Sequence, residues 1–142
     1  MNILFLCTGN SCRSQMAEGF ARHFGDGQFT AMSAGLEAHG LNPKAVAAMR
    51  EIGIDISWQQ STVVDAAMIA SADIIVTVCD HAKEHCPVVP GHVRQLHWSL
   101  EDPAKAKGTE VEITSIFRRV RNEIGEKVSS LIGELNADRA RT

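Results

Sequence analysis

At 142 residues, 44% of them apolar and 22% charged, the chain has the length and balance of one globular domain, 1–142, able to bury a core without disulfide staples. Its formal net charge of −3 excludes an overall basic field that would draw it to nucleic acid or anionic lipid, so any anion site must be local. The opening MNILFLCTGN has no basic segment, and its apolar run is too short for a signal peptide or a membrane span. The cytoplasm is the expected compartment. Four cysteines in a reducing compartment read as catalytic, redox or metal-binding thiols before they read as structural disulfides.

The apolar run at 2–6 predicts a buried parallel strand closed by a Gly-containing loop. Over 14–24, Met16, Ala17, Phe20, Ala21 and Phe24 recur with helical spacing up to Gly25. A second strand is expected at 29–34, ending at Gly35. Asn42 and Pro43 then cap a helix running to about 52, with Gly53 as its stop. ADIIVTV at 72–78 predicts a third buried strand that ends on Cys79, and 94–98 is a weaker fourth. A long amphipathic pattern over 114–135, carried by Ile116, Val120, Ile124, Val128, Leu131 and Leu135, predicts the closing helix. This alternation implies an α/β single-domain three-layer sandwich, a central four-stranded parallel sheet with helices on both faces and right-handed crossovers. Ligands of such sheets bind outside the carboxyl ends of the strands, where Cys7, Cys79 and, a little further on, Asp102 all fall.

Cys7 and Cys12, five positions apart in the first loop, could be a disulfide, half of a metal site, or a nucleophile with a bystander. The loop chemistry favours the last. Thr8, Gly9, Asn10, Ser11 and Cys12 are small or polar, which lets successive N–H groups turn inward as an anion nest, and the following helix adds the positive end of its dipole. Arg13 can fork two donors to an oxyanion. The same field is expected to favour thiolate at Cys7, with Ser14 donating a hydrogen bond to its sulfur. Against this stands a plain strand-to-helix turn that happens to contain Cys and Arg. Cys12 reads as loop filling.

Cys79 and Cys86 flank DHAKEH. If that segment is helical, ~1.5 Å of rise per residue puts their α-carbons about 10 Å apart, whereas a disulfide requires roughly 4.4–6.8 Å. A redox pair here has to rearrange the helix, and Pro87 with the following VVPGH could loosen its end. A zinc cluster of Cys79, His81, His85 and Cys86, or two inert cysteines, are the alternatives. The remaining histidines look like solvated or packing residues. Asp102, before Pro103, reads either as a turn or helix cap or as a general acid.

CTGNSCRSQMAEG, SAG with HGLNPKA, VTVCDHAKEHCP and HWSLEDPA, in this order across nearly the whole chain, resemble the thioredoxin-coupled arsenate reductases, which share the fold of low-molecular-weight protein tyrosine phosphatases. The resemblance implies arsenate reduction and arsenic detoxification through a relay on Cys7, Cys79 and Cys86, with Arg13 in the anion loop and Asp102 as acid. It implies a Cys79–Cys86 disulfide recycled by thioredoxin, or alternatively by glutaredoxin with glutathione, and no organic cofactor. Arsenate, phosphate and sulfate are the expected anions, and a monomer is the expected state. Some members bind potassium near the anion loop; Asn10, Glu18 and Ser33 fit that pattern, but Thr62 stands where an aspartate is expected. Taken without the resemblance, Asn10 and Ser33 are loop hydrogen-bonders and Glu18 an exposed helical charge. Two rival functions share these residues: a low-molecular-weight tyrosine phosphatase, and a non-catalytic oxyanion or metal sensor. Phosphatases of that fold usually carry aromatic residues after the Asp-Pro, where this chain reads AKAKG.

Overall fold

Ile3, Leu4, Phe5 and Leu6 are all fully buried, which only a strand covered on both faces allows. They form β1 (Asn2–Cys7), flanked by β2 (Thr30–Gly35) and β3 (Ile74–Thr77), with β4 (Arg94–His97) outside β3. The order is β2-β1-β3-β4 and every pairing is parallel. The computed structural model describes residues 1–86 and 88–140. Among these residues five α-helices accompany the sheet: α1 (Arg13–Gly25), α2 (Pro43–Arg50), α3 (Ala66–Ser71), α4 (Asp80–His85) and α5 (Glu110–Ala140). α1 packs on β1 and β2 and against α5, α5 also packs on α2, α3 reaches the sheet at β1, and α4 at β1 and β3. The four-stranded parallel α/β architecture expected from the sequence is borne out.

Several boundaries move, each for a local reason. Ala72 is the C-cap of α3, so β3 is shorter than the 72–78 run, although Val78 N–H still reaches Leu6 O at 3.0 Å. α3 has no counterpart in the sequence reading because it buries a single side chain, Ile69; its signal is Asp65, whose carboxylate accepts Met68 N–H at 2.8 Å. α2 stops at Arg50, and Gly53, at φ +81, closes the turn beyond it. α5 starts earlier and ends later than 114–135. Thr109 and Glu112 form a capping box in which Glu112 N–H donates to Thr109 Oγ1 at 3.2 Å, and the polar last turns add no apolar period. No helix among the described residues is long and apolar enough to cross a membrane.

Register is what matters for the site. Cys7 is level with Gly35 across β1 and β2, Leu6 with Thr77 across β1 and β3, and Thr77 with His97 across β3 and β4. The chain leaves β1 toward β2 on one side and returns to β3 on the other. A crevice therefore opens at the carboxyl end of β1, the switch point of the sheet.

Candidate active site

The crevice holds a cavity of about 430 Å³ walled by Cys7, Thr8, Gly9, Ser11, Cys12 and Arg13 from the first loop and by Asp102 from the loop beyond β4. Asn10 shapes the loop. It is fully buried and sits in the left-handed region at φ +47, a conformation Asn tolerates better than most residues. That turn aims Asn10 N–H at Cys7 Sγ, 3.1 Å away. Its side-chain amide donates to Ser14 Oγ at 2.9 Å, and its oxygen accepts Thr62 N–H at 2.8 Å. With Ser14 Oγ thus accepting from Asn10, its hydroxyl proton is free to point at Cys7 Sγ, 2.8 Å away. The sulfur lies at the centre of converging donors, as the loop chemistry predicts.

Arg13 is fixed on the opposite wall. Its Nη1 donates to Leu100 O at 2.9 Å and its Nη2 stands 3.5 Å from Asp102 Oδ2. Asp102 also caps the short 3-10 turn Pro103–Lys105 by accepting Ala104 N–H at 3.0 Å. The two sequence readings of Asp102 are therefore compatible: one carboxylate oxygen caps the turn while the other faces the guanidinium in the cavity.

One electrostatic expectation is corrected. Burial pushes the Cys7 thiol above its ordinary value, and the Ser14 and Asn10 hydrogen bonds with the Arg13 charge only partly offset it. The sulfur is therefore a neutral thiol in the free site at neutral pH. Alkylation of Cys7 by iodoacetamide, followed by peptide mass mapping, is expected to rise about tenfold per pH unit and still to be climbing at about pH 9; a plateau below about pH 8 contradicts it. Cys12 is pushed up to about 12 by burial, and its sulfur pairs with the Ser11 hydroxyl at 3.8 Å. This agrees with its reading as loop filling.

The other two sulfurs are carried by α4. Cys79 is the N-cap of that helix, its sulfur accepting Ala82 N–H at 3.4 Å, and it lies 3.2 Å from Thr8 Oγ1. The anion loop and the second thiol are thus in contact. Cys86 is the C-cap of α4, half-buried, its thiol raised by burial, beside a separate cavity walled by Thr77 and His97. All four cysteines are unpaired. The helical DHAKEH segment keeps the two ends apart as the rise arithmetic requires. Pro87, invoked from sequence as a loosener, lies outside the described residues. Among the described residues no group of three or more His, Cys, Asp or Glu is arranged to hold a metal ion.

Several supports were not legible from the sequence. Gln15 is fully buried and donates to Asn10 O at 3.1 Å and Gln60 O at 2.9 Å, while Gln59 donates to Gln15 Oε1 at 2.9 Å. Glutamine normally reads as surface. His39, read as a solvated or packing residue, and His81, weighed as a zinc ligand, both line the cavity, together with Lys105. Gly35 is hemmed in by backbone. A Cβ there would lie 2.4 Å from Glu37 O, 2.6 Å from Thr8 O and 2.7 Å from Asn10 N, all backbone and unable to yield. Gly35→Ala is expected to cost about 2–4 kcal/mol and to weaken phosphate binding, read by thermal unfolding and titration calorimetry. Unchanged stability and affinity would show that the loop gives way more easily than these distances allow.

Glu18 is not the exposed helical charge anticipated but buried, accepting Ser33 Oγ–H at 2.7 Å and Arg22 Nε–H at 3.0 Å. Asn10 faces the loop instead, its amide oxygen taken by Thr62 and Gln15. Gln59 Oε1 is buried without a hydrogen-bond partner among the described residues, and Gln59 shares a cavity wall with Glu18 and Arg22. The oxygens such an ion would need are already engaged: Asn10 Oδ1 by Thr62 and Gln15, and the Glu18 carboxylate by Ser33 and Arg22. The three residues do not fit that ion as arranged.

A strand ending in a cysteine, an anion loop closed by arginine and an Asp-Pro facing it define a class. The model of the low molecular weight phosphotyrosine protein phosphatases matches residues 2–141, and the chain belongs to that family. Within it, the chain is similar to proteins named arsenate reductase. That of Bacillus licheniformis is 58% identical over 127 residues, 89% of this chain and 91% of the relative, and that of Bacillus subtilis is 54% identical over 126 residues, 89% and 91%. Among solved structures, an arsenate reductase in the phosphate binding state superposes with a TM-score of 0.76 at 36% identity, covering 94% of this chain and 97% of that one. One in an oxidized state gives 0.78 at 34% identity with the same coverage. A low molecular weight tyrosine phosphatase from T. tengcongensis, 24% identical over 94% of this chain and 99% of its own, shares the fold with a TM-score of 0.81.

Proposed function

We propose that this chain reduces arsenate to arsenite by a relay through Cys7, Cys79 and Cys86, with thioredoxin as reductant. The observation that carries the reading is the contact of Thr8 Oγ1 with Cys79 Sγ at 3.2 Å. It places a second thiol on the rim of an anion loop, where a phosphatase has no use for one. The cavity wall supports a small inorganic anion: Ala104 and Lys105 follow the Asp-Pro, and among the described lining residues there is no Phe or Trp to flank a phenyl ring.

The chemistry follows from the neutral thiol. An arriving arsenate dianion, held by the loop N–H groups and Arg13, takes the Cys7 proton, and the resulting thiolate attacks arsenic. Asp102 relays that proton to the departing oxygen, which leaves as water, and a sulfur–arsenic(V) bond remains. Cys79 thiolate then attacks Cys7 Sγ; the sulfur–arsenic electron pair stays on arsenic, which departs as arsenite, and a Cys7–Cys79 disulfide forms. That step draws Cys79 Sγ away from Ala82 N–H and removes the cap of α4. The loosened helix lets Cys86 thiolate attack Cys79, freeing Cys7 and leaving Cys79–Cys86 for thioredoxin. Thiol pairs of this kind need a reducing, cytoplasmic setting, and a single chain supplies every group.

The test is arsenite production from arsenate with thioredoxin, its reductase and NADPH, beside hydrolysis of a phosphotyrosine peptide. Sustained arsenite formation with hydrolysis at least about a hundredfold slower is the expected result. Hydrolysis without arsenite would make the chain a phosphatase, and anion binding without either would make it a sensor.

A further inference from the structure

α4 buries only Ala82, so little apolar contact holds this helix against the sheet. Its first residue is instead tied by polar groups from the end of β4 and the loop just beyond it. Asp80 Oδ1 lies 2.8 Å from His97 Nε2 and accepts Ser99 Oγ–H at 3.3 Å. The other ring nitrogen, His97 Nδ1, lies 2.8 Å from Thr77 Oγ1. Thr77 and His97 are register partners in β3 and β4, so the imidazole is held at one end by the sheet and holds the helix at the other. His97 also stands in the wall of the cavity beside Cys86. One ring therefore bridges the start of α4 to the strands and borders the place where its last thiol rests.

We infer that His97 is a positioning residue of the relay: through Asp80 it latches the first turn of α4 to β3 and β4, and so limits how fast the helix opens to bring Cys86 to Cys79. This rests on the relay described above. It touches neither the anion nor Cys7. The exchange it governs is balanced: Cys86 loses its proton and attacks Cys79 Sγ, the Cys79–Cys86 bond forms, the Cys7–Cys79 bond breaks, and Cys7 leaves as thiolate and takes up the proton that Cys86 lost. The latch matters because the separation of the α4 ends, about 10 Å at helical rise, has to collapse before that bond can form.

The experiment compares wild type with Asp80→Ala, His97→Ala and the double variant, all reduced. Amide hydrogen exchange at 82–86 is expected to quicken roughly threefold in each single variant, with no further gain in the double, because both remove the same tie. Amides of the central strands and phosphate affinity stay unchanged, which a general loss of structure would not permit. After rapid mixing with arsenate and acid quench, the Cys79–Cys86 disulfide, mapped by alkylation and mass spectrometry, is expected to appear faster by the same factor. Asp80→Asn, which keeps the shape of the side chain, should fall between. Unaltered exchange in both single variants, or additive effects in the double, overturns the latch. Faster amide exchange with no Cys79–Cys86 disulfide at any time leaves the latch standing and overturns the relay instead.

Discussion

Cys7→Ser is expected to abolish arsenite production, by at least about three orders of magnitude, while phosphate still binds. The oxygen is nearly isosteric with sulfur, and the groups that shape the pocket do not depend on the sulfur's chemistry: Asn10 is held by Thr62 N–H, Ser14 by Asn10 and Arg13 by Leu100 O. Two things are lost. A buried hydroxyl is far harder to deprotonate than a thiol, even one raised by burial as Cys7 is. The ester it could form with arsenic also has no sulfur to accept attack and pass two electrons to the metalloid. Cys12→Ser is the matched control, expected to keep activity within about threefold, since that thiol, at about 12, is never ionised in use. The pair is checked by arsenite assay and phosphate titration on the same preparations. Turnover that survives in Cys7→Ser would remove the nucleophile from this reading altogether.

How much of this was legible in the sequence depended on whether the signal was periodic or local. β1 and α1 were legible because a solid apolar run and a 3.6-residue spacing are each produced by one physical cause, burial on two faces or on one. The anion loop was legible because its chemistry is contiguous: Cys7, the nest and Arg13 are held within one turn of chain. The supports were not, because each is made by chain folding back from far away. Gln15 reads as a surface residue until Gln59 and Gln60 are brought across to it, and Gly35 reads as a strand end until the backbone of Thr8 and Asn10 presses on it. The direction of the Cys7 thiol failed for a related reason. The charges that lower it are visible in sequence, whereas the burial that raises it appears only with the core in place. His97 is the same case in miniature, a lone histidine until strand register sets it between Thr77 and Asp80.

The burial of the three thiols sets a graded order that Cys86→Ser should expose. Cys7 is 3% and Cys79 6% exposed, whereas Cys86 is only half-buried at the far end of a helix that itself buries one residue. Without Cys86 the first two sulfurs still complete their chemistry, so a burst of one arsenite per chain is expected, after which the protein stalls as a Cys7–Cys79 disulfide too enclosed for a protein reductant to attack. Steady turnover with thioredoxin should fall by at least about a hundredfold. Cys79→Ser should stop a step earlier, with arsenic held on Cys7 and no arsenite released, so the two variants differ in the burst and not in the steady state. Quantifying arsenite in the first turnover and mapping the disulfide by mass spectrometry separates them. If Cys86→Ser turns over at full rate, the buried pair is directly accessible to the reductant, and the helix between the outer thiols has no part in carrying oxidation to the surface.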